Sequence, residues 1–181
     1  MKQTSGNITF KNKEPNYQDM IITDLIKKVE ESKPYNDWSK NNSGKLAHIF
    51  FIEGGLEAFD IGYYLEKEDK IASFEISGDR VIFKGSSDPF KEPNKKIKSL
   101  NIEKVKIDYE NALKTASELQ KEKYKTEIPF KQITILQNID EGQVWNFTFI
   151  TQAFKTLNIK IDAKTGEIVK DELINLMGDN K

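Results

Sequence analysis

The sequence VWNFTF at residues 144–149 decides the fold predicted for the second half of the chain. Apolar and polar residues alternate through it, so Trp145, Phe147 and Phe149 fall on one face of a β-strand and the polar residues between them fall on the other. The sequence TLNIKI at residues 156–161 alternates in the same way. Each strand therefore has one face to bury, which predicts an antiparallel sheet that is covered on one side.

A helix predicted before these strands supplies that cover. Asp108 suits its N-terminal cap, because a carboxylate there accepts hydrogen bonds from the free N–H groups of the first turn. The apolar residues that follow recur at helical spacing, at Ala112, Leu113, Ala116 and Leu119. The alanines of this stripe allow the helix to approach the sheet closely.

The first half of the chain repeats this order of elements. A helical stripe comes first, at Ile22, Leu25, Ile26 and Val29. Strands are then predicted at residues 46–52, 56–65, 71–76 and 81–83. Because residues 46–52 are apolar on both faces, we expect this strand to lie where the halves meet. The predicted fold class is α+β, with residues 1–92 and 93–181 as two tandem halves, each one helix packed on a three- to four-stranded antiparallel sheet.

The sequence DAKTGEI at residues 162–168 is typical of a hairpin turn. Gly166 can adopt the positive φ that a bulged turn requires, and Asp162 can accept hydrogen bonds from the turn backbone. We therefore assign both residues a structural role.

The second half resembles a PepSY-type domain. In that family a helix with small and apolar residues, such as ALKTA at residues 112–116, precedes a strand pair and an Asp-x-x-Thr-Gly-Glu-Ile hairpin. Residues 162–168 match that hairpin at every specified position, and the resemblance covers about residues 107–171. The turn of the first half, at residues 77–81, lacks the Thr-Gly-Glu signature. Its interpretation as a degenerate second copy therefore rests on order and spacing.

This resemblance implies a non-catalytic module, usually extracytoplasmic and sometimes associated with peptidase inhibition or with membrane-anchored envelope proteins. No catalytic residue is carried over, because the family offers none. We expect an extracytoplasmic location if the resemblance holds and an N-terminal anchor has been removed, and a cytoplasmic one if Met1 is the native start.

The composition of the 181-residue chain argues against several classes of function. Its 28 basic and 29 acidic residues nearly balance, so we expect no nucleic acid partner. The absence of cysteine excludes disulfides, thiolate metal sites and a cysteine nucleophile. No apolar run approaches the roughly 20 residues that cross a bilayer. Because the sequence also lacks a phosphate-binding loop, a zinc-type cluster and a nucleophile elbow, we predict no enzyme activity, no cofactor and no metal site.

Two aromatic residues are candidates for a partner surface. Trp38 lies in the polar segment 35–44, which we predict to be a loop, and Tyr64 falls on the strand face opposite Ile61. Exposed aromatic side chains are enriched at the energetic centres of interfaces. Ordinary packing at the edge of the sheet is the alternative for both.

The aromatic stripe has two interpretations as well. Trp145, Phe147 and Phe149 line a ligand cavity between helix and sheet in one of them, and in the other they fill the core of a two-layer α+β fold. For an enzyme, a carboxylate pair such as Glu57 and Asp60 would have to converge in a cleft. His48, the only histidine, is better explained as a half-buried strand residue than as a catalytic base.

These observations favour a non-enzymatic binding or regulatory module that contacts a protein or peptide. The contact surface is the outer face of the sheet, an exposed edge or the Trp38 segment. The alternative is a carrier of a small apolar ligand, held around the aromatic stripe. The sequence leaves the identity of the partner and the oligomeric state open.

Overall fold

A computed structural model of the chain describes residues 22–53, 58–91 and 95–176. Within them, the helices are α1 (Ile22–Glu30), α2 (Lys33–Ser39) and α3 (Tyr109–Lys123). The strands are β1 (Lys45–Glu53), β2 (Ala58–Leu65), β3 (Lys70–Ser77), β4 (Arg80–Ser87), β5 (Pro129–Ile139), β6 (Gly142–Thr151), β7 (Lys155–Asp162) and β8 (Ile168–Asn175).

All eight strands belong to one antiparallel sheet, in the order β4-β3-β2-β1-β5-β6-β7-β8. Each half contributes four strands that follow one another as hairpins. The halves join where β1 pairs with β5, from His48 opposite Gln137 to Glu53 opposite Gln132. The sheet is therefore continuous from β4 to β8.

The prediction of two halves with separate sheets is wrong. Strand β1 was expected at the junction of the halves, and it lies there, but it joins them by backbone pairing along its edge. A strand with unpaired N–H and C=O groups on one side is an exposed template for another strand, and pairing β1 with β5 removes that edge from both. The proposed duplication and the division at residues 92 and 93 stay predictions.

The three helices cover the same face of the sheet. Val29 of α1, Trp38 of α2 and Ala116 of α3 belong to one apolar cluster that also contains Phe51 of β1 and Trp145 of β6. The predicted helical stripes are confirmed, because Ala112 and Ala116 are fully buried. We call the opposite face of the sheet the open face, since none of the three described helices covers it.

Trp38 lies in a helix, so the prediction of a loop over residues 35–44 is wrong at its start. The hydroxyl of Ser32 accepts a hydrogen bond from the backbone N–H of Tyr35 at 3.3 Å, and Pro34 occupies the first turn. A serine cap followed by proline in the first turn is a helix start signal. The polar composition of the segment concealed it, because only Tyr35 and Trp38 pack against the sheet.

Candidate functional site

A groove of about 910 Å³ lies on the open face of the sheet. Residues 95–100, which follow β4 in the chain, lie at one end of the face, and Ile97 among them packs on a small apolar cluster of Ala47, Tyr64 and Ile71. The segment is anchored to the sheet, because Leu100 N–H donates to the carbonyl of Leu46 at 2.8 Å. Lys98 forms a β-bridge with Asn138 near the end of β5, so the open face is walled at this end, and none of the described helices covers it over β6 and β7.

Five residues on neighbouring strands form a continuous row along the groove. Phe50 of β1 pairs with Ile135 of β5, which pairs with Asn146 of β6, then with Lys160 of β7 and finally with Lys170 of β8. All five line the groove. The central row, as we call it, changes from apolar at β1 to basic at β8.

The walls of the groove are rich in lysine. Six lysines line it, and only two acidic residues, Asp140 and Glu141, do so. The Nζ atoms of Lys95 and Lys98 lie 3.3 and 2.9 Å from the carboxylate oxygens of Asp140. The hydrogen bond from Lys98, and after it the one from Lys95, lowers the pKa of this carboxyl. Lys91, Lys96 and Lys170 pair with carboxylates as well, so Lys160 is the one lysine of the groove with no carboxylate partner among the described residues.

Asn146 places an unsatisfied polar atom beneath the groove. Its side chain is 9% exposed, and its buried Oδ1 has no hydrogen-bond partner among the described residues. The neighbouring polar pair on the same face is satisfied, since Asn158 Nδ2 donates to Thr148 Oγ1 at 2.8 Å. A buried acceptor without a donor costs about 1–3 kcal/mol, so a donor from solvent or from a ligand would stabilise the Asn146 amide.

His48 lies beside the central row and packs flat against β2. Gly62 is its cross-strand partner, and a Cβ added at Gly62 would meet the imidazole at 2.3 Å. The histidine Nε2 lies 3.6 Å from Oδ1 of Asp60, which faces the same side of the sheet. His48 is half-buried, as predicted. Glu57, the other carboxylate considered for an enzyme, lies outside the described residues.

The structure buries both residues predicted to form a partner surface. Trp38 is 8% exposed and packs against Tyr35, Tyr63 and Phe74, at ring-centroid distances of 5.5, 6.0 and 5.4 Å. Because its indole fills the space between α2 and the sheet, the expectation that Trp38 is exposed is wrong.

Tyr64 faces the open side of the sheet, as its alternation with Ile61 indicates, but it is only 5% exposed. Ile97 packs on the apolar cluster to which Tyr64 belongs. The hydroxyl of Tyr64 donates a hydrogen bond to Asp69 Oδ1 at 2.8 Å, and this bond raises the pKa of Tyr64. Ile97, which follows β4 in the chain, supplies this cover. The expectation that Tyr64 is exposed is therefore wrong too.

The aromatic stripe lies in the core beneath α3. Trp145 and Phe147 are fully buried and Phe149 is 5% exposed. Tyr109 of α3 packs on Trp145 and Phe147 at 5.9 and 6.1 Å, and the indole N–H of Trp145 donates to the carbonyl of Ile107 at 2.9 Å. None of the three lines the groove, which is on the other face. Their packing agrees with the interpretation that these three side chains fill the core of the fold.

The predicted hairpin turn forms as the sequence indicates. Oδ1 of Asp162 accepts hydrogen bonds from the backbone N–H groups of Lys164 and Thr165, at 2.7 and 2.8 Å. Gly166 has φ of 79° and lies against Ile107. The turn thus holds the segment before α3 against the end of β7.

Sequence reasoning missed the residues that make the groove chemically distinctive. Asn146, Lys160 and Lys170 each read as polar residues on the solvent side of a strand. The signal that brings them together is the register of three neighbouring strands. Period-two alternation gives the face of a residue, but it does not give its partner on the next strand.

Comparisons with known proteins show similarity in fold alone. No protein-family model matches the chain, and no curated protein matches it either. Among solved structures it is similar to the crystal structure of a candidate lipoprotein from Clostridium difficile 630, with 15% identity and a TM-score of 0.55. The similarity covers 83% of this chain and 91% of that one. The two proteins therefore share a fold.

The described residues include no helix that is long and apolar enough to cross a membrane.

Proposed function

We propose that the chain is a non-enzymatic binding or regulatory module, akin to PepSY-like domains, which holds a protein or peptide segment in the groove on the open face of its sheet. The observation that carries this proposal is the unsatisfied Oδ1 of Asn146 in a groove that Phe50 and Ile135 line on one side of it and Lys160 on the other. A groove with this combination offers a ligand apolar contact, a hydrogen-bond acceptor and positive charge together.

The open face suits a macromolecular segment better than an enclosed small molecule. None of the described helices covers the groove over β6 and β7, which leaves it accessible to an extended chain. Phe50 and Ile135 supply apolar area for alternate side chains of an extended segment. The core beneath the helices, in contrast, is occupied by its own aromatic side chains.

Site-specific photo-crosslinking tests the proposal. The benzophenone analogue of phenylalanine replaces Phe50 in the groove and, as a matched control, Lys121 on the exposed surface of α3. Irradiation in cells of the native source is followed by mass spectrometry of crosslinked peptides. We expect a crosslinked protein segment at position 50 and none at position 121.

The outcome is informative in both directions. A defined partner peptide that maps to position 50 alone supports the groove as the binding surface. Equal crosslinking at both positions, or none at position 50, overturns the proposal. A crosslink at position 50 to a small molecule alone replaces the peptide partner with a small-molecule ligand of the groove.

A further inference from the structure

The lysine end of the central row contains a feature that folding does not explain. Lys160 and Lys170 are direct cross-strand partners on β7 and β8. Like charges directly opposite one another destabilise a sheet. Lys170 Nζ lies 3.0 Å from the Glu172 carboxylate, whereas the Lys160 ammonium has no ion pair or hydrogen bond within the described part of the chain. A negative group above Lys160 would relieve this repulsion.

The adjacent residue defines a second requirement for the ligand. Asn146 is the cross-strand partner of Lys160 on β6, and its buried Oδ1 accepts no hydrogen bond from the described residues. Neighbouring strands lie about 4.8 Å apart, so an N–H donor and an anion are required within a few ångströms of each other. A peptide supplies both, through its backbone amide and an acidic side chain. A fatty acid supplies the carboxylate but lacks the donor.

The charges along the row also orient the ligand. Beyond Phe50 the row continues into Asp60 of β2 and Glu75 of β3. Negative groups are therefore disfavoured at that end and favoured over Lys160. From β8 to β1 the row crosses four strand spacings, about 19 Å, which an extended segment of about six residues spans.

We infer that the groove binds an extended acidic peptide segment, with a backbone N–H donating to Asn146 Oδ1, a carboxylate paired with Lys160 and apolar side chains on Phe50 and Ile135. This inference rests on the proposed function and specifies its ligand. The acidic residue determines specificity, and the apolar floor contributes affinity that is independent of charge.

Fluorescence anisotropy with three labelled probe peptides tests the ligand class. Each peptide has about eight residues in which valine alternates with glutamate, glutamine or lysine. We expect the glutamate peptide to bind about tenfold more tightly than the glutamine peptide at low salt, and the lysine peptide not to bind. Because the contact is charge-assisted, the preference for glutamate shrinks as salt is added.

Two variants assign the contacts. Lys160→Gln should weaken binding of the glutamate peptide about three- to tenfold and leave the glutamine peptide unchanged, since it removes only the charge. Lys121→Gln, on the exposed surface of α3, is the matched control and should change neither affinity. Asn146→Leu should weaken both peptides equally, while the urea midpoint for unfolding rises.

The outcomes separate this inference from the function on which it rests. If the glutamine peptide binds as tightly as the glutamate peptide and Lys160→Gln has no effect, the acidic specificity is wrong and the peptide groove stands. If no peptide binds and position 50 forms no crosslink, both are wrong. If vesicles containing phosphatidylglycerol bind the protein in a Lys160-dependent way and the peptides do not, a lipid replaces the acidic peptide.

Discussion

Gly62→Ala tests how tightly His48 packs on the open face. The added Cβ would lie 2.3 Å from Cε1 of the imidazole and 2.6 Å from its Nε2, so the ring has to move. A ring forced off its rotamer costs about 0.5–1.5 kcal/mol, and overpacking costs about 1–3 kcal/mol. Replacing glycine inside a strand with alanine gains about 0.5–1 kcal/mol. We therefore expect the free energy of unfolding to fall by about 1 kcal/mol.

The same substitution should have the opposite sign when the imidazole is absent. The three atoms nearest the added Cβ all belong to His48, and His48→Ala removes them. Only the gain from replacing glycine then remains, so Gly62→Ala should raise the free energy of unfolding by about 0.5–1 kcal/mol in that background. The coupling energy between the two sites is about 1.5–2 kcal/mol, within the range for residues in contact.

Urea unfolding of the four proteins, followed by tryptophan fluorescence, measures this cycle, and an unchanged slope with denaturant confirms that the same transition is compared. Thr148→Ala serves as the control background, because β6 lies three strands from β2 in the sheet. It should leave the effect of Gly62→Ala unchanged. If Gly62→Ala destabilises equally in the His48→Ala background, the contact with the imidazole is not the cause and the reasoning is refuted.

Three further predictions concern the rest of the fold. Trp145→Ala should lower the free energy of unfolding by about 3–5 kcal/mol in urea titrations, because it empties a fully buried site; a loss below about 1 kcal/mol would contradict the core assignment. Phe154→Gly should raise it by about 0.5–1 kcal/mol, because Phe154 has φ of 55° and is 63% exposed, and a decrease would show that the side chain stabilises its turn. Hydrogen bonds from Lys123 and Tyr124 lower the pKa of Asp171 below its ordinary 3.8, so this carboxylate stabilises the fold above that value and the stabilisation is lost as pH falls through the lowered pKa. Asp171→Asn should therefore reduce the acid-induced loss of stability, and an unchanged profile of unfolding free energy against pH would refute this.

The faces of individual elements could be predicted from the sequence. Period-two alternation assigned Trp145 and Phe147 to the covered face, and helical spacing assigned Ala112 and Ala116 to the buried stripe. The turn at Asp162 could be predicted because its side-chain hydrogen bonds are local. In each case the physical signal lies within a few residues of the position it describes.

The lateral order of the strands could not be predicted in the same way. Strand β1 was assigned to the junction because it is apolar on both faces, but pairing through its backbone depends on groups that every residue carries. The sequence therefore contains no local mark of the β1–β5 pairing. Chain connectivity suggested that each half closes its own sheet, whereas the pairing of edges between the halves decides the architecture.

Exposure was predicted poorly for the same reason. Trp38 is surrounded in sequence by polar residues, and Tyr64 faces away from the main core, so both were expected at the surface. Trp38 is buried by Tyr63 and Phe74, which are distant in sequence, and Ile97, which follows β4 in the chain, packs on the cluster of Tyr64. Burial by distant segments is a tertiary property that the local pattern does not report.

The two faces of the sheet differ in how completely their polar groups are satisfied, and this difference supports a binding role for the open face. On the covered face the indole N–H of Trp145 has its acceptor at 2.9 Å. On the open face Asn146 keeps a buried acceptor without a donor, and Lys160 lies directly opposite another lysine. Asn146→Leu removes an unsatisfied atom and replaces it with apolar volume, so it should stabilise the fold while it weakens peptide binding. Opposite changes in stability and affinity at one position distinguish a residue retained for a ligand from one retained for folding.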